Sequence, residues 1–345
     1  MQYRSLGTSD LDVSLICLGT MTWGQQNSQS EAFEQLDYAL EQGVNFIDTA
    51  EMYSVPTKQE TQGSTETIIG NWLAARGKRD QVILTTKVSG RSMGMKYLRG
   101  GPRLDRANIE SAVEQSLRRL QTDYLDLYQV HWPDRQTNYF GQLEYQHDAE
   151  AEHIAIEETL TVLGELVAAG KVRYLGISNE TPWGTMRWLQ AAESMGLPRI
   201  ISIQNPYSLL NRSFEIGLAE VCHREKVGLL AYSPMAFGTL SGKYIDGTAG
   251  ASDRVNQFPQ FARYTNPQGV AATREYVQLA RDHDLDPAQM ALAYVNSRPF
   301  LASTIVGATT LSQLESNIAS VEVSLSAEVL EGIQAIHRRF SNPCP

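Results

Sequence analysis

Four residues at the ends of apolar, strand-like runs have the types needed for acid–base chemistry at a carbonyl. Asp48 and Tyr53 lie in Val-Asn-Phe-Ile-Asp-Thr-Ala-Glu-Met-Tyr, Lys87 ends Val-Ile-Leu-Thr-Thr-Lys, and His131 follows Tyr-Leu-Asp-Leu-Tyr-Gln-Val. Reducing a carbonyl leaves negative charge on oxygen, and a general acid must supply a proton to it. A free phenol ionises near about 10, and a neighbouring ammonium favours the phenolate and lowers that value. Tyr53 is therefore the candidate acid and Lys87 its tuner. Asp48 would orient Lys87 and compensate its charge, while His131 would polarise the oxygen. Taken singly, each has a plainer reading: a packed tyrosine, a solvated lysine, a turn-capping aspartate. The ordered combination is what points to a site.

These residues need elements that converge. Eight apolar runs have strand character, at 15–18, 45–49, 82–87, 124–131, 174–178, 201–205, 227–233 and 303–307. Each but the last is followed by apolar residues at helical spacing, such as Ala32, Leu36 and Leu40, or Ile109, Val113, Leu117 and Leu120. Asp105 is a helix-cap candidate, Gly170 closes another helix, and Pro287 follows Asp286 where a first turn tolerates proline. Eight such units make one α/β domain over residues 1–345, a closed (β/α)8 TIM barrel. Two short segments flanking Gly7-Thr8-Ser9-Asp10 predict an N-terminal β-hairpin at one end. An open doubly wound sheet would carry Gly-x-Gly-x-x-Gly after an early strand, and that motif does not occur. Strand ends on a parallel barrel converge on its C-terminal face, where long loops build the ligand site. Long polar connections at 89–103, 133–155 and 241–268 follow strand ends, with Tyr97, Trp132, Tyr139, Phe140, Tyr145, Phe258 and Phe261 in or beside them.

The formal net charge of −10 disfavours a nucleic-acid partner. No apolar stretch is long enough for a membrane span or a signal peptide, so a cytoplasmic protein is expected. Cys17, Cys222 and Cys344 have no paired spacing and argue for a reducing compartment. A metal-dependent barrel hydrolase using Asp48 and His131 lacks any accompanying His-x-His or carboxylate cluster, and no metal is expected.

Gly-Val-Asn-Phe-Ile-Asp-Thr-Ala-Glu-Met-Tyr, Thr-Thr-Lys and Asp-Leu-Tyr-Gln-Val-His-Trp-Pro-Asp resemble signature regions of the aldo-keto reductase superfamily. Leu-Gly-Thr-Met-Thr-Trp-Gly, Gly-Lys-Val-Arg-Tyr-Leu-Gly-Ile-Ser-Asn, Gln-Asn-Pro-Tyr-Ser and Ala-Tyr-Ser-Pro-Met-Ala-Phe-Gly follow in the family's order. Within the superfamily the chain is most similar to the bacterial Tas-like reductases, through Thr-Ala-Glu-Met-Tyr and Gln-Asn-Pro-Tyr-Ser-Leu-Leu-Asn-Arg-Ser-Phe-Glu. The resemblance spans nearly the whole chain. It implies a nicotinamide cofactor bound without a Rossmann domain, NADP(H) ahead of NAD(H), and the same Asp, Tyr, Lys and His.

Carried over position by position, the resemblance implies cofactor contacts at Thr20 and Met21. It implies that Ser178, Asn179 and Gln204 hold the carboxamide and that Tyr232 stacks on the nicotinamide. Ser233, Pro234, Met235, Phe237 and Gly238 would line the pyrophosphate, with positive charge from Lys243 and Arg254. Gly307, Thr309, Gln313 and Asn317 would take the adenosine and 2′-phosphate end, where a helix N-terminus favours anions. Relatives commonly carry Arg or Lys where Thr309 stands and Glu where Ser316 stands. Trp23, Tyr53 and Trp132 are expected to wall a substrate pocket for an apolar or aromatic small-molecule carbonyl. Arg91, Lys96, Arg99 and Arg103 give one loop a basic character. An alternative is a cofactor-holding regulatory protein with little turnover, like the potassium-channel β subunits that the superfamily also resembles. Oligomeric state is not encoded in these features.

Overall fold

The computed structural model describes residues 1–345. The hairpin comes first, as β1 (Tyr3–Ser5) and β2 (Asp12–Ser14), paired antiparallel. The barrel strands are β3 (Ile16–Gly19), β4 (Phe46–Asp48), β5 (Ile83–Val88), β6 (Leu125–Val130), β7 (Val172–Ser178), β8 (Ile200–Pro206), β9 (Gly228–Tyr232) and β10 (Leu301–Val306). They close in sequence order, with β10 returning to β3, and neighbouring pairs are parallel. The expected barrel and hairpin are both present.

Alternation along each strand divides two cores. Cys17, Phe46, Leu127, Leu230 and Ala302 point inward and meet Leu6, Leu11 and Val13 of the hairpin, which plugs the N-terminal end. The hairpin tip presses so close to β8 that a Cβ on Gly7 would lie 2.3 Å from the Ile201 carbonyl oxygen, and Gly7 has φ +58°. Glycine alone satisfies both conditions. Outward-facing Leu84, Tyr128, Leu175 and Leu229 pack under the surrounding helices. With one end stoppered, the other is left for chemistry.

The helices are α1 (Gln29–Glu41), α2 (Ser64–Arg76), α3 (Arg106–Leu120), α4 (Ile156–Ala168), α5 (Pro182–Met195), α6 (Leu218–Glu225), α7 (Arg254–Gln257), α8 (Pro267–Asp282), α9 (Pro287–Asn296), α10 (Leu311–Ala319) and α11 (Ala327–Arg339). Asp105 caps α3 by accepting the Asn108 N–H at 2.9 Å, and Asp286 caps α9 ahead of Pro287. The helix N-terminus that the resemblance implies after the last strand is present as α10, although apolar spacing does not mark it; its buried face is Leu314, Asn317 and Ile318. A polar residue in the middle of that face hides the apolar period. No helix is long and apolar enough to cross a membrane.

Candidate active site

Strand register gathers the site. Gly19 lies opposite Asp48, Asp48 opposite Thr85, Lys87 opposite Gln129, and Ser178 opposite Gln204. With a side-chain period of two, Phe46 inward places Asp48 inward, and Leu127 inward places Gln129 and then His131 inward. Lys87 is 0% exposed at the end of β5. Tyr53 sits on the loop after β4 and reaches back over these strand ends, held by its carbonyl accepting the Gly63 N–H at 2.8 Å.

The Lys87 ammonium makes three contacts: Asp48 Oδ2 at 2.7 Å, the Thr49 carbonyl at 2.8 Å and Tyr53 Oη at 3.4 Å. Asp48 Oδ1 accepts from Gln204 Nε2 at 2.8 Å and from Gln129 Nε2 at 3.4 Å. Burial works against the ammonium, but Asp48 and Tyr53 outweigh it, and the Lys87 pKa lies above its ordinary value. For Tyr53 the balance differs from the sequence-based expectation. Burial raises the phenol's pKa, Lys87 pulls it down, and burial wins, so the group lies above the ordinary tyrosine value. The phenol therefore holds its proton at neutral pH and carries it beside an ammonium.

His131 stands edge-on to Tyr53, ring centroids 5.7 Å apart. Its backbone N–H donates to Val88 O at 2.9 Å and its carbonyl accepts from Asn179 Nδ2 at 2.9 Å. Burial first, and the Lys87 charge second, push its pKa well below the usual histidine value. The ring is neutral, and its buried Nδ1 has no protein partner. A neutral imidazole keeps one N–H to offer an oxygen.

The positions expected around a nicotinamide cluster beside these four. Tyr232 donates to Asn179 Oδ1 at 2.7 Å, Asn179 Nδ2 donates to Ser178 Oγ at 3.1 Å, and Ser178 Oγ donates to the Gln204 carbonyl at 2.7 Å. Gln204 departs from its expected role in one respect: its amide nitrogen serves Asp48, because Oδ1 needs donors once Lys87 has taken Oδ2. Thr20 also departs. It is fully buried and donates to the Asp48 carbonyl at 2.8 Å, so it braces a strand end rather than facing a ligand. Beside it, Met21 accepts the Val55 N–H at 2.9 Å.

After β9, Ser233, Ala236, Phe237 and Gly238 all have positive φ, a turn that also includes Pro234 and Met235. Successive left-handed backbone of this kind forms concave anion seats. Arg254, at the start of α7, lies 4.9 Å from the Phe237 ring and 5.1 Å from the Phe261 ring. Its Nε and Nη2 are buried without partners, and burial lowers its pKa to about 10. Lys243 is paired with Asp253 instead. Beyond exposed Gly307, Gln313 Oε1 accepts from Thr309 N–H at 3.0 Å and from Thr309 Oγ1 at 3.1 Å, while the buried Asn317 Nδ2 has no partner.

Residues 15–338 match the aldo/keto reductase family. Protein tas of Escherichia coli strain K12 is 54% identical over the full length of both chains. An aldo-keto reductase of Babesia bovis is 38% identical across 76% of this chain and 98% of its own. Norsolorinic acid reductase B of Dothistroma septosporum is 30% identical across 98% of this chain and 82% of its own. The chain belongs to the aldo/keto reductase family.

Members of that family are oxidoreductases that typically bind a nicotinamide cofactor and act on small carbonyl compounds, and the residues of this aldo/keto reductase fit such a group. An unpartnered buried guanidinium calls for an anion, and Arg254 lies beside a left-handed turn that can seat a phosphate. Not every expected residue faces this space. Trp23 is 0% exposed, inside the main core, and donates to Gln35 Oε1 at 3.3 Å. It is not a pocket wall, because its size and apolar surface seat it between α1 and α2, where Ser64 and Thr65 hold its carbonyl. Trp132 packs instead with Met95 and Leu98, flanked by Met52, Tyr97 and Tyr139, and Tyr139 and Phe140 lie 5.0 Å apart over it. The basic loop is less free than its composition suggests. Arg99 is held by Glu51, and Arg103 by Asp134. Glu51 and Gln129 were not singled out from the sequence. Both could have been, as polar residues on the inward or buried side of otherwise apolar segments next to Tyr53 and His131.

Proposed function

We propose that the chain is an NADPH-dependent oxidoreductase that reduces aldehydes or ketones to alcohols, with Tyr53 as the general acid. One observation carries the reading: a buried ammonium, Lys87, lies within hydrogen-bonding range of both a carboxylate, at 2.7 Å, and a phenol, at 3.4 Å. The reduced nicotinamide would supply the electron pair and hydrogen taken up by the carbonyl carbon. Tyr53 gives its phenolic proton to the oxygen as negative charge builds there. Lys87 stabilises the phenolate left behind, and Asp48, held by Gln204 and Gln129, keeps that ammonium in place. His131 donates from its neutral ring to the same oxygen. Trp132, Met95 and Leu98 offer an apolar wall, which suits an aromatic or apolar carbonyl. In support, the relative from Dothistroma septosporum is named as a reductase of norsolorinic acid.

Steady-state oxidation of NADPH with 4-nitrobenzaldehyde, then with a panel of aldehydes and ketones, tests the reading. Turnover to the alcohol is expected. Bound cofactor that responds to no carbonyl would favour a regulatory protein instead. NADPH is expected to bind more tightly than NADH, supported by the unpartnered buried Asn317 Nδ2 on α10; tighter NADH binding would reverse that assignment.

Two further results are expected. Arg254→Leu should weaken NADPH binding roughly 10- to 100-fold, the equivalent of one charge-assisted hydrogen bond. A dissociation constant within twofold of wild type, measured by fluorescence titration, would remove Arg254 from the phosphate site. The pH profile of kcat should have no acid limb near about 6.5, because His131 is held neutral until well below that pH. Its basic limb should lie above the ordinary tyrosine range, because Tyr53 is raised. A limb centred in the usual histidine range would contradict the neutral-ring role.

A further inference from the structure

The residue between Asp48 and Tyr53 that the proposed reaction leaves unused is Glu51. Its carboxylate is 1% exposed, yet four donors address the residue from three different segments. Arg99 approaches bidentately, Nη1 to Oε2 at 2.6 Å and Nη2 to Oε1 at 2.9 Å. The Ser89 N–H donates to Oε1 at 2.8 Å, and Gln62 Nε2 donates to the Glu51 carbonyl at 2.6 Å. The Glu51 N–H in turn donates to the Lys87 carbonyl at 3.3 Å. Glu51, two residues before Tyr53, thus grips the chain just past Lys87, on either side of Val88, through the Lys87 carbonyl and the Ser89 amide.

Arg99 extends the grip. Its Nε donates to Asn108 Oδ1 at 2.9 Å, and Asn108 is fastened to the Asp105 cap of α3. Arg99 belongs to the loop whose Met95 and Leu98 press on Trp132. One ion pair therefore ties together the tyrosine loop, the lysine strand and the apolar wall. Neither of its members lies in hydrogen-bonding contact with Tyr53, Lys87 Nζ or His131, so its effect must pass through position.

We propose that Glu51 and Arg99 are positioning residues for this reaction, setting the distance between the Tyr53 phenol and the Lys87 ammonium and seating the Met95–Leu98 wall against Trp132. The inference rests on the reductase reading. Buried charge pairs can also serve stability alone, and the test separates the two. Glu51→Gln keeps length but loses charge, Glu51→Asp keeps charge but shortens the reach by one methylene, and Arg99→Lys keeps charge but loses the fork. Each is compared with wild type for kcat and KM with 4-nitrobenzaldehyde, for NADPH affinity, for the basic limb of the pH profile and for melting temperature.

Glu51→Asp and Glu51→Gln should lower kcat about 10- to 100-fold, the scale of a misplacement near 1 Å. NADPH affinity should stay within about threefold, because the cofactor residues lie on other loops. The basic limb should also move, because a longer Tyr53–Lys87 separation weakens the ammonium's pull on the phenol, which works against burial. Arg99→Lys should fall between wild type and Glu51→Gln and chiefly raise KM, through the loosened wall. Normal kcat in both Glu51 variants of an active protein overturns the inference, as does a kcat loss with an unmoved basic limb that merely tracks the melting temperature. If Glu51→Gln does not fold, Arg99→Lys decides by the same KM and pH readouts. Wild type inactive toward every carbonyl overturns the reductase reading itself, and this inference with it.

Discussion

Lys87→Met is expected to lose about 3–5 kcal/mol of folding stability, the usual cost of removing one partner from a buried ion pair. The reason is local. Asp48 Oδ2 and the Thr49 carbonyl would both lose their donor inside the barrel, and methionine can supply none. Gln204 and Gln129 still address Oδ1, which stabilises the carboxylate only in part. Urea unfolding of wild type and variant measures the difference, and one below about 1 kcal/mol would show that the pair contributes little. The same substitution removes the only ammonium touching the Tyr53 oxygen, so any folded fraction should be a poor reductase. Lys87→Arg keeps the charge, but its planar fork cannot reproduce a tetrahedral ammonium donating to Asp48, Thr49 and Tyr53.

Tyr53→Phe should do the reverse, sparing the fold and abolishing the chemistry. The lost hydroxyl makes a single 3.4 Å contact with Lys87, which keeps Asp48 and Thr49. The stability change should therefore stay near about 1 kcal/mol. The ring remains in edge contact with His131. Loss of a positioned general acid should reduce kcat by about 10²- to 10⁴-fold, while NADPH affinity, which we propose comes from residues at the ends of β7, β9 and β10, should hardly change. A kcat within a few-fold of wild type would mean that another group gives the proton.

The barrel was legible in the sequence because its strands are short, largely apolar runs, several of them with a polar residue at or just past the C-terminal end. Asp48, Lys87 and His131 stand out for that reason, and parallel register brings them together. Where the sequence misled, the cause was a partner that spacing does not reveal. Trp23 is an aromatic residue after a strand, as Trp132 is, and only the packing of α1 and α2 decides that it is core. Gln204 matched a ligand position, but the second oxygen of Asp48 claims its amide. Arg99 and Arg103 appeared as loose positive charge until Glu51 and Asp134 were found in contact with them. The phenol's pKa could not be read from neighbours alone, because burial enters with the opposite sign to Lys87 and is the larger effect. Asn317, a buried polar residue in the middle of its apolar face, obscures the apolar period of α10, so that helix is implied by the resemblance and not by spacing.

Rapid mixing of NADPH-loaded protein with excess 4-nitrobenzaldehyde, with nicotinamide fluorescence followed through one turnover, addresses the central claim most directly. Wild type should lose the signal completely and form one alcohol per site, and Tyr53→Phe, equally loaded, should do so at least about 100-fold more slowly. A cofactor that stays reduced in wild type, or equal rates in the two proteins, would contradict the account.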